Sequence, residues 1–225
     1  LYTLWGAVLA KHAEKINDTE LMKLSFTKFE KSVELNPQQN PALLYNAYYA
    51  WGAGLAFLSM KTEDDGLLPL CSEKFSKAIE LKPSATAAYQ LWGELLLHYG
   101  RKNKDLLQLK ETVSVYDKAL AIEPNSLPAL LGKGYAYLCM GRYDNDYLKY
   151  RSQLEAAYVR AEQLGGQSAA YNLACFYSLI KEKDEAFRWL EKTIVKNPMY
   201  ERKMSEFSKT KFDKDADFDN IRGDK

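Results

Sequence analysis

Histidine and cysteine are scarce in this chain. Its 225 residues include two histidines, His12 and His98, and three cysteines, Cys71, Cys139 and Cys175. The cysteines are far apart, odd in number and form no C-x-x-C pair, which speaks against a disulfide framework or a zinc site. They are expected as buried small hydrophobes in an intracellular, reducing compartment. His98 has no cysteine or carboxylate at metal-ligand spacing, so a structural or partner-contact role is expected for it rather than catalysis. Excess charge of one sign is also missing: 31 Lys and Arg face 30 Asp and Glu. That balance gives no support to a generic nucleic-acid or acidic-membrane binder, and no basic stripe with interleaved stacking residues can be assigned to one face. No apolar run approaches the roughly 20 residues of a spanning helix. Phosphate loops, dinucleotide fingerprints, nucleophile elbows and zinc-protease helices do not occur, so no catalytic residue, cofactor or metal is expected. Asn17-Asp-Thr19 is a formal glycosylation sequon, but the cysteine usage argues against secretion. An initiator Met is lacking too. The apolar stretch Leu1–Ala10 has no basic flank and fits a helix better than a signal peptide. The chain reads as a fragment or processed product, and any upstream targeting segment lies beyond it.

What the chain does have is a repeated string. It occurs as Phe29-Glu-Lys-Ser-Val-Glu-Leu-Asn-Pro37, as Phe75-Ser-Lys-Ala-Ile-Glu-Leu-Lys-Pro83, as Tyr116-Asp-Lys-Ala-Leu-Ala-Ile-Glu-Pro124 and as Leu190-Glu-Lys-Thr-Ile-Val-Lys-Asn-Pro198. Phe75, Ala78 and Ile79 share one helical face, and the small Ala78 admits a neighbouring helix. Pro83 cannot continue the helix and biases Lys82 away from helical geometry. The string is therefore the last two turns of an amphipathic helix with its stop signal. Upstream of each string lies a second helical pattern centred on a small residue: Trp5-Gly6, Trp51-Gly52, Trp92-Gly93, Lys133-Gly134 and Leu173-Ala174. A glycine inside a helix costs about 1 kcal/mol relative to alanine, so close helix–helix packing must return that cost.

Paired helices of this kind resemble tetratricopeptide repeats. Tyr171-Asn-Leu-Ala-Cys-Phe-Tyr177, with Ala186, Leu190, Thr193 and Pro198, fits that family's 34-residue unit best. The resemblance implies an all-α fold: an α-solenoid, wound as a right-handed superhelix, of about five antiparallel helix pairs plus a C-terminal cap. The array is expected over 1–200, in units of roughly 1–38, 41–84, 85–125, 127–166 and 167–200, with the cap at 201–225. The strings that start at Phe29, Phe75 and Tyr116, and a degenerate one at Tyr158, are spaced more widely than the family's period. Roughly seven or eight extra residues, close to two helical turns, fit helices that are each about one turn longer. Turns are expected within Lys61–Gly66, Arg101–Asp105 and Pro37–Pro41, and Gly165-Gly166 replaces the proline stop of the fourth unit.

After Pro198 the chain turns polar. Met204, Phe207, Phe212, Phe218 and Ile221 are expected to pack a capping segment onto the last repeat. A calcium loop is the rival reading, on Asp213, Asp215, Asp217 and Asp224. Phe218 stands where that loop needs glycine, so the cap is preferred.

The resemblance also implies where a partner binds. In that family the first helix of each pair lines the concave face, and here the lining positions are Thr3 and Ala7; Asn46, Tyr49 and Ala53; Gln90, Glu94 and Leu97; Leu131, Tyr135 and Leu138; and Tyr171, Cys175 and Ser178. The Lys, Asn and Arg clamp with which some members hold acidic chaperone tails is absent from these places, which disfavours that partner. An apolar and aromatic lining suits a protein or peptide with apolar anchors. The expected function is a non-catalytic protein–protein interaction scaffold. Self-association through an exposed terminal repeat, giving a homo-oligomer, and the docking region of a larger enzyme are the alternatives.

Overall fold

The computed structural model describes residues 1–35, 40–195 and 214–220. Ten α-helices and no strand occur among them: α1 (Tyr2–Ile16), α2 (Thr19–Leu35), α3 (Pro41–Thr62), α4 (Leu68–Leu81), α5 (Thr86–Lys102), α6 (Leu106–Ile122), α7 (Leu127–Asp144), α8 (Arg151–Gln163), α9 (Gln167–Leu179) and α10 (Lys183–Val195). The protein is thus all-α, of the helical-repeat, solenoid class. Its contacts divide it into two compact units, Leu1–Tyr99 and Gly100–Lys225, with α5 running through the division.

The strings end as the prolines dictate. Before Pro83, Lys82 leaves the helix with φ −145° and ψ 80°. Before Pro124, Glu123 does the same at φ −128° and ψ 86°. Pro198 and residues 36–39 lie outside the described residues, but Asn40 caps α3 by accepting the Leu43 N–H at 3.1 Å, with Pro41 at the first helical position. Gly165 ends α8 at φ 86°, as the Gly-Gly pair suggested.

One recurring device was not read from the sequence. Every first helix of a pair stops on a residue in the left-handed region, at Asn17, Glu63, Lys104, Asn145 and Lys181. The next residue is acidic each time, and its N–H reaches back to the last turn of the helix: Asp18 to the carbonyl of Ala13, Asp64 to Ser59, Asp105 to Gly100, Asp146 to Gly141 and Glu182 to Tyr177. In four of the five turns that acid's carboxylate then accepts backbone N–H groups of the following helix or 3₁₀ turn. Asp18 takes Glu20 and Leu21, Asp64 takes Gly66, Asp105 takes Leu107 and Gln108, and Asp146 takes Lys149. The same turn closes one helix and caps the next.

Inside the hairpins the small residues meet the aromatics of the strings. A Cβ on Gly6 would lie 2.7 Å from the Phe29 ring, one on Gly52 3.0 Å from Phe75, and one on Gly134 2.7 Å from Tyr158. Phe29, Phe75 and Tyr158 are fully buried. Burial of such a ring contributes about 1.5–3 kcal/mol, and the missing methyl is what allows it. In the first unit two tryptophans lie under lysines of the partner helix, Lys28 at 4.4 Å from the Trp5 ring centre and Lys74 at 4.2 Å from that of Trp51.

The extra residues are helical, but unevenly shared. α5 and α6 have 17 residues each against 13 in α9 and in α10, about one turn more apiece. In the second and fourth pairs the extension goes mainly to the first helix: α3 has 22 residues and α7 has 18. 3₁₀ turns, Asp65–Leu67 and Leu148–Tyr150, then lead into α4 and α8.

Candidate functional site

In the first unit the expected lining positions fall on α3 and α5. Asn46 and Glu94 are exposed, while Tyr49, Ala53, Gln90 and Leu97 are half-buried. Tyr49 stacks on Tyr45, one helical turn earlier, with ring centres 5.9 Å apart and planes 14° from parallel. Lys82 sits 5.3 Å from the Tyr45 ring centre. Burial raises both tyrosine hydroxyls above their ordinary value. The rings rest on the cluster of Phe75, Cys71 and Tyr99, so their inner faces are packed and their outer edges remain available. Ala7 on α1 is half-buried. Thr3 is not a lining residue: it is buried, and its hydroxyl shares a 2.5 Å hydrogen bond with Ser32 of α2.

In the second unit Leu131, Tyr135 and Tyr171 are half-buried. Leu138, Cys175 and Ser178 are buried, at 4%, 3% and 0% exposure, and offer no surface to a partner. Leu138 belongs to the core packing of α7 against α8 and α9. Cys175 and Ser178 lie on the stripe of α9 that runs on from Tyr171, and the chain's own C-terminal residues come to that stripe. Tyr171 donates its hydroxyl to Asp215 at 2.6 Å and meets the Phe218 ring edge-on at 5.6 Å. Asn220 donates to the Ser178 carbonyl at 3.2 Å. Phe218 is fully buried in the same cluster as Tyr158, Leu173 and Phe176.

Arg142 completes this arrangement. It continues the α7 stripe of Leu131, Tyr135 and Leu138 by one further turn, and the sequence reading passed over it. Its Nη2 donates to both carboxylate oxygens of Asp217, at 2.7 and 2.9 Å. Burial, opposed by Arg142, leaves the Asp217 carboxyl above its ordinary value, and the neighbouring acids Asp215 and Asp219 push the same way. Tyr135 is engaged from the other side: Arg101 donates to its hydroxyl at 3.1 Å, and Tyr143 donates to the Arg101 carbonyl at 2.9 Å.

The C-terminal residues thus lie on the first helices α7 and α9. Met204, Phe207, Phe212 and Ile221, and the acids Asp213 and Asp224, lie outside the described residues. Asp215 and Asp217, the two acids of the rival calcium loop that are described, turn to Tyr171 and Arg142. Among the described residues no group of three His, Cys, Asp or Glu is placed to hold a metal, and no helix is long and apolar enough to cross a membrane. Cys71, Cys139 and Cys175 are buried in the core and form no disulfide with one another. His98 packs edge-on against Tyr99 at 5.0 Å.

Similarity to solved structures decides the fold. A crystal structure of the MamA protein superposes with a TM-score of 0.60 at 17% identity, over 92% of this chain and 95% of that one. A second MamA structure gives 0.57 at 16%, over 88% and 97%. A thermophilic TPR protein of Thermus thermophilus gives 0.54 at 19%, over 92% and 99%. This is the tetratricopeptide-repeat fold. At such identities the likeness concerns the fold alone. No family model and no curated protein matches the sequence.

Proposed function

We propose that this protein is a non-catalytic interaction scaffold whose first helices bind a peptide or protein segment with apolar anchors. The carrying observation is the second unit, where the α7 and α9 stripes already hold a short peptide segment, residues 215–220, through one buried ring and several polar side chains. A surface that accepts a segment of its own chain has the shape and chemistry to accept one. In the first unit Asn46, Tyr49, Gln90, Glu94 and Leu97 of the first helices α3 and α5 are exposed or half-buried, which supports the same role for them. Tyrosine there adds contact area at small entropic cost. Affinity capture with the wild-type chain and with a Tyr49→Ala/Tyr135→Ala variant tests the reading. Partners retained undiminished by the folded variant would reject the assigned face.

A second reading has its own observation. The outer side of α1 carries Leu1, Leu4, Trp5 and Val8 at 90%, 68%, 48% and 59% exposure. A contiguous apolar face of this kind marks self-association through the terminal repeat. Sedimentation showing a monomer across a wide concentration range would remove that reading.

A further inference from the structure

Residues 215–220 contact the helices through side chains of distinct chemistry. Phe218 fills a closed apolar site, Asp215 accepts from Tyr171, Asp217 pairs with Arg142, and Asn220 reaches the Ser178 carbonyl. The segment also carries its own fold. The Asp215 carboxylate accepts the Asp217 N–H at 3.0 Å, and its carbonyl accepts the Phe218 N–H at 3.0 Å. The Asp219 N–H closes on Ala216 at 3.1 Å. A peptide of this pattern brings its turn with it, which lowers the ordering cost of docking.

The helices beneath have other partners. α9 packs on α10 and α8, and α7 on α6 and α8. The polar anchors are partly open to water, with the Arg142 side chain 46% exposed and that of Asp217 20% exposed. The segment carries three aspartates, at positions 215, 217 and 219, and the ion pair of Asp217 with Arg142 lies at its solvated edge. These features fit a reversible occupant better than a permanent element of the core.

We propose that the Arg142–Tyr171–Ser178 stripe is a receptor for an acidic–aromatic segment of a partner protein, of the pattern Asp-x-Asp-Phe, and that residues 215–218 are its displaceable internal copy. The proposal rests on the first-helix rows being binding surfaces, and adds the ligand's chemistry and a gate. The tethered copy competes with an incoming segment, so the stripe is open to ligands only in the fraction of molecules whose own segment has left it.

The probe is a fluorescein-labelled peptide, Lys-Asp-Ala-Asp-Phe-Asp-Asn, with the sequence of residues 214–220, titrated into the full chain. The Phe218→Ala chain is expected to bind it about tenfold or more tighter than wild type, because the internal copy has lost its anchor. Replacing the peptide's Phe by Ala is expected to abolish that gain, and adding Arg142→Ala to the variant is expected to weaken peptide binding several-fold. A folded Phe218→Ala chain that ignores the peptide overturns the proposal, and so does equal binding by wild type. Hydrogen exchange on the unaltered chain gives a reading free of any folding defect. The amides of Asp217, Phe218 and Asp219 are expected to exchange well before those of α9, and protection equal to α9 makes the segment permanent and the proposal wrong. Concentration-dependent dimerisation that Phe218→Ala removes, with no peptide binding, assigns the segment to a second copy of this chain and also overturns it. Loss of the gate with the Tyr49 and Tyr135 dependence of capture intact leaves the scaffold reading standing.

Discussion

Arg142 and Asp217, 75 positions apart in sequence, meet with one guanidinium nitrogen 2.7 and 2.9 Å from the two carboxylate oxygens. The contact orients the C-terminal segment on α7, while the Phe218 ring supplies most of the burial. The ion pair is partly solvated, so it contributes about 0.2–1 kcal/mol. Arg142→Ala is therefore expected to speed hydrogen exchange at Asp217–Asp219 several-fold and to leave the global urea midpoint nearly unchanged. A large drop in global stability would show that the segment is integral to the core.

The repeated turn makes two opposite predictions at adjacent residues. Lys104 is exposed and holds φ at 55°, a conformation that disfavours a side chain with Cβ. Lys104→Gly should raise unfolding free energy by about 0.5–1 kcal/mol. Asp105 accepts two N–H groups at the start of α6, and Asp105→Ala should lower it by about 1 kcal/mol. Urea titrations of the two variants check both signs.

Alanine is a better helix former than glycine by about 1 kcal/mol. Gly134→Ala should still destabilise, by about 1–3 kcal/mol net, because the new methyl lies 2.7 Å from the buried Tyr158 ring. Gly52→Ala, at 3.0 Å from Phe75, should cost less. Equilibrium unfolding of the two variants gives the comparison, and stabilisation by Gly134→Ala would refute the packing argument.

Burial pushes the Cys71 thiol up to about 12 and that of Cys139 to about 11, from an ordinary 9.0. These two thiols accordingly stay protonated in the native protein at pH 8, and iodoacetamide should label Cys71 and Cys139 only after denaturation. The sign for stability follows. With native values above the unfolded one, the contribution is complete below pH 9 and is lost as pH rises from about 9 through about 11 and 12. Alkaline unfolding that leaves Cys71→Ala and wild type equally pH-dependent would count against this.

The hairpin interiors were legible because their cause is local. Phe75, Ala78 and Pro83 define a face and a stop within one helix, and Gly52 announces the close approach. The five helix-ending turns were legible in principle, since an acid follows each left-handed residue at 18, 64, 105, 146 and 182. They went unread because Asn, Glu and Lys occupy the left-handed position instead of glycine. The burial of Cys175 fits a small hydrophobe, as its residue type suggests, but the covering of the Cys175–Ser178 stripe was beyond local reading. It involves Tyr171 meeting Asp215 and Phe218 across more than forty residues, and no periodicity encodes such a return. Leu138 was misplaced for a simpler reason: the α7 stripe drifts inward there, and only its next turn, at Arg142, reaches the open side.

Three glycine–aromatic contacts join the two helices of one hairpin, Gly6 with Phe29, Gly52 with Phe75 and Gly134 with Tyr158, while Gly54 with Phe26 and Gly132 with Tyr116 join successive hairpins. Both halves of an interior contact are therefore inherited together. Duplicating or deleting a hairpin carries its interior contact along, and the matching to be renewed lies at the junctions, where Gly54 meets Phe26 and Gly132 meets Tyr116. Such a chain can vary its length and the span of its helices by copying, while leaving each interior intact.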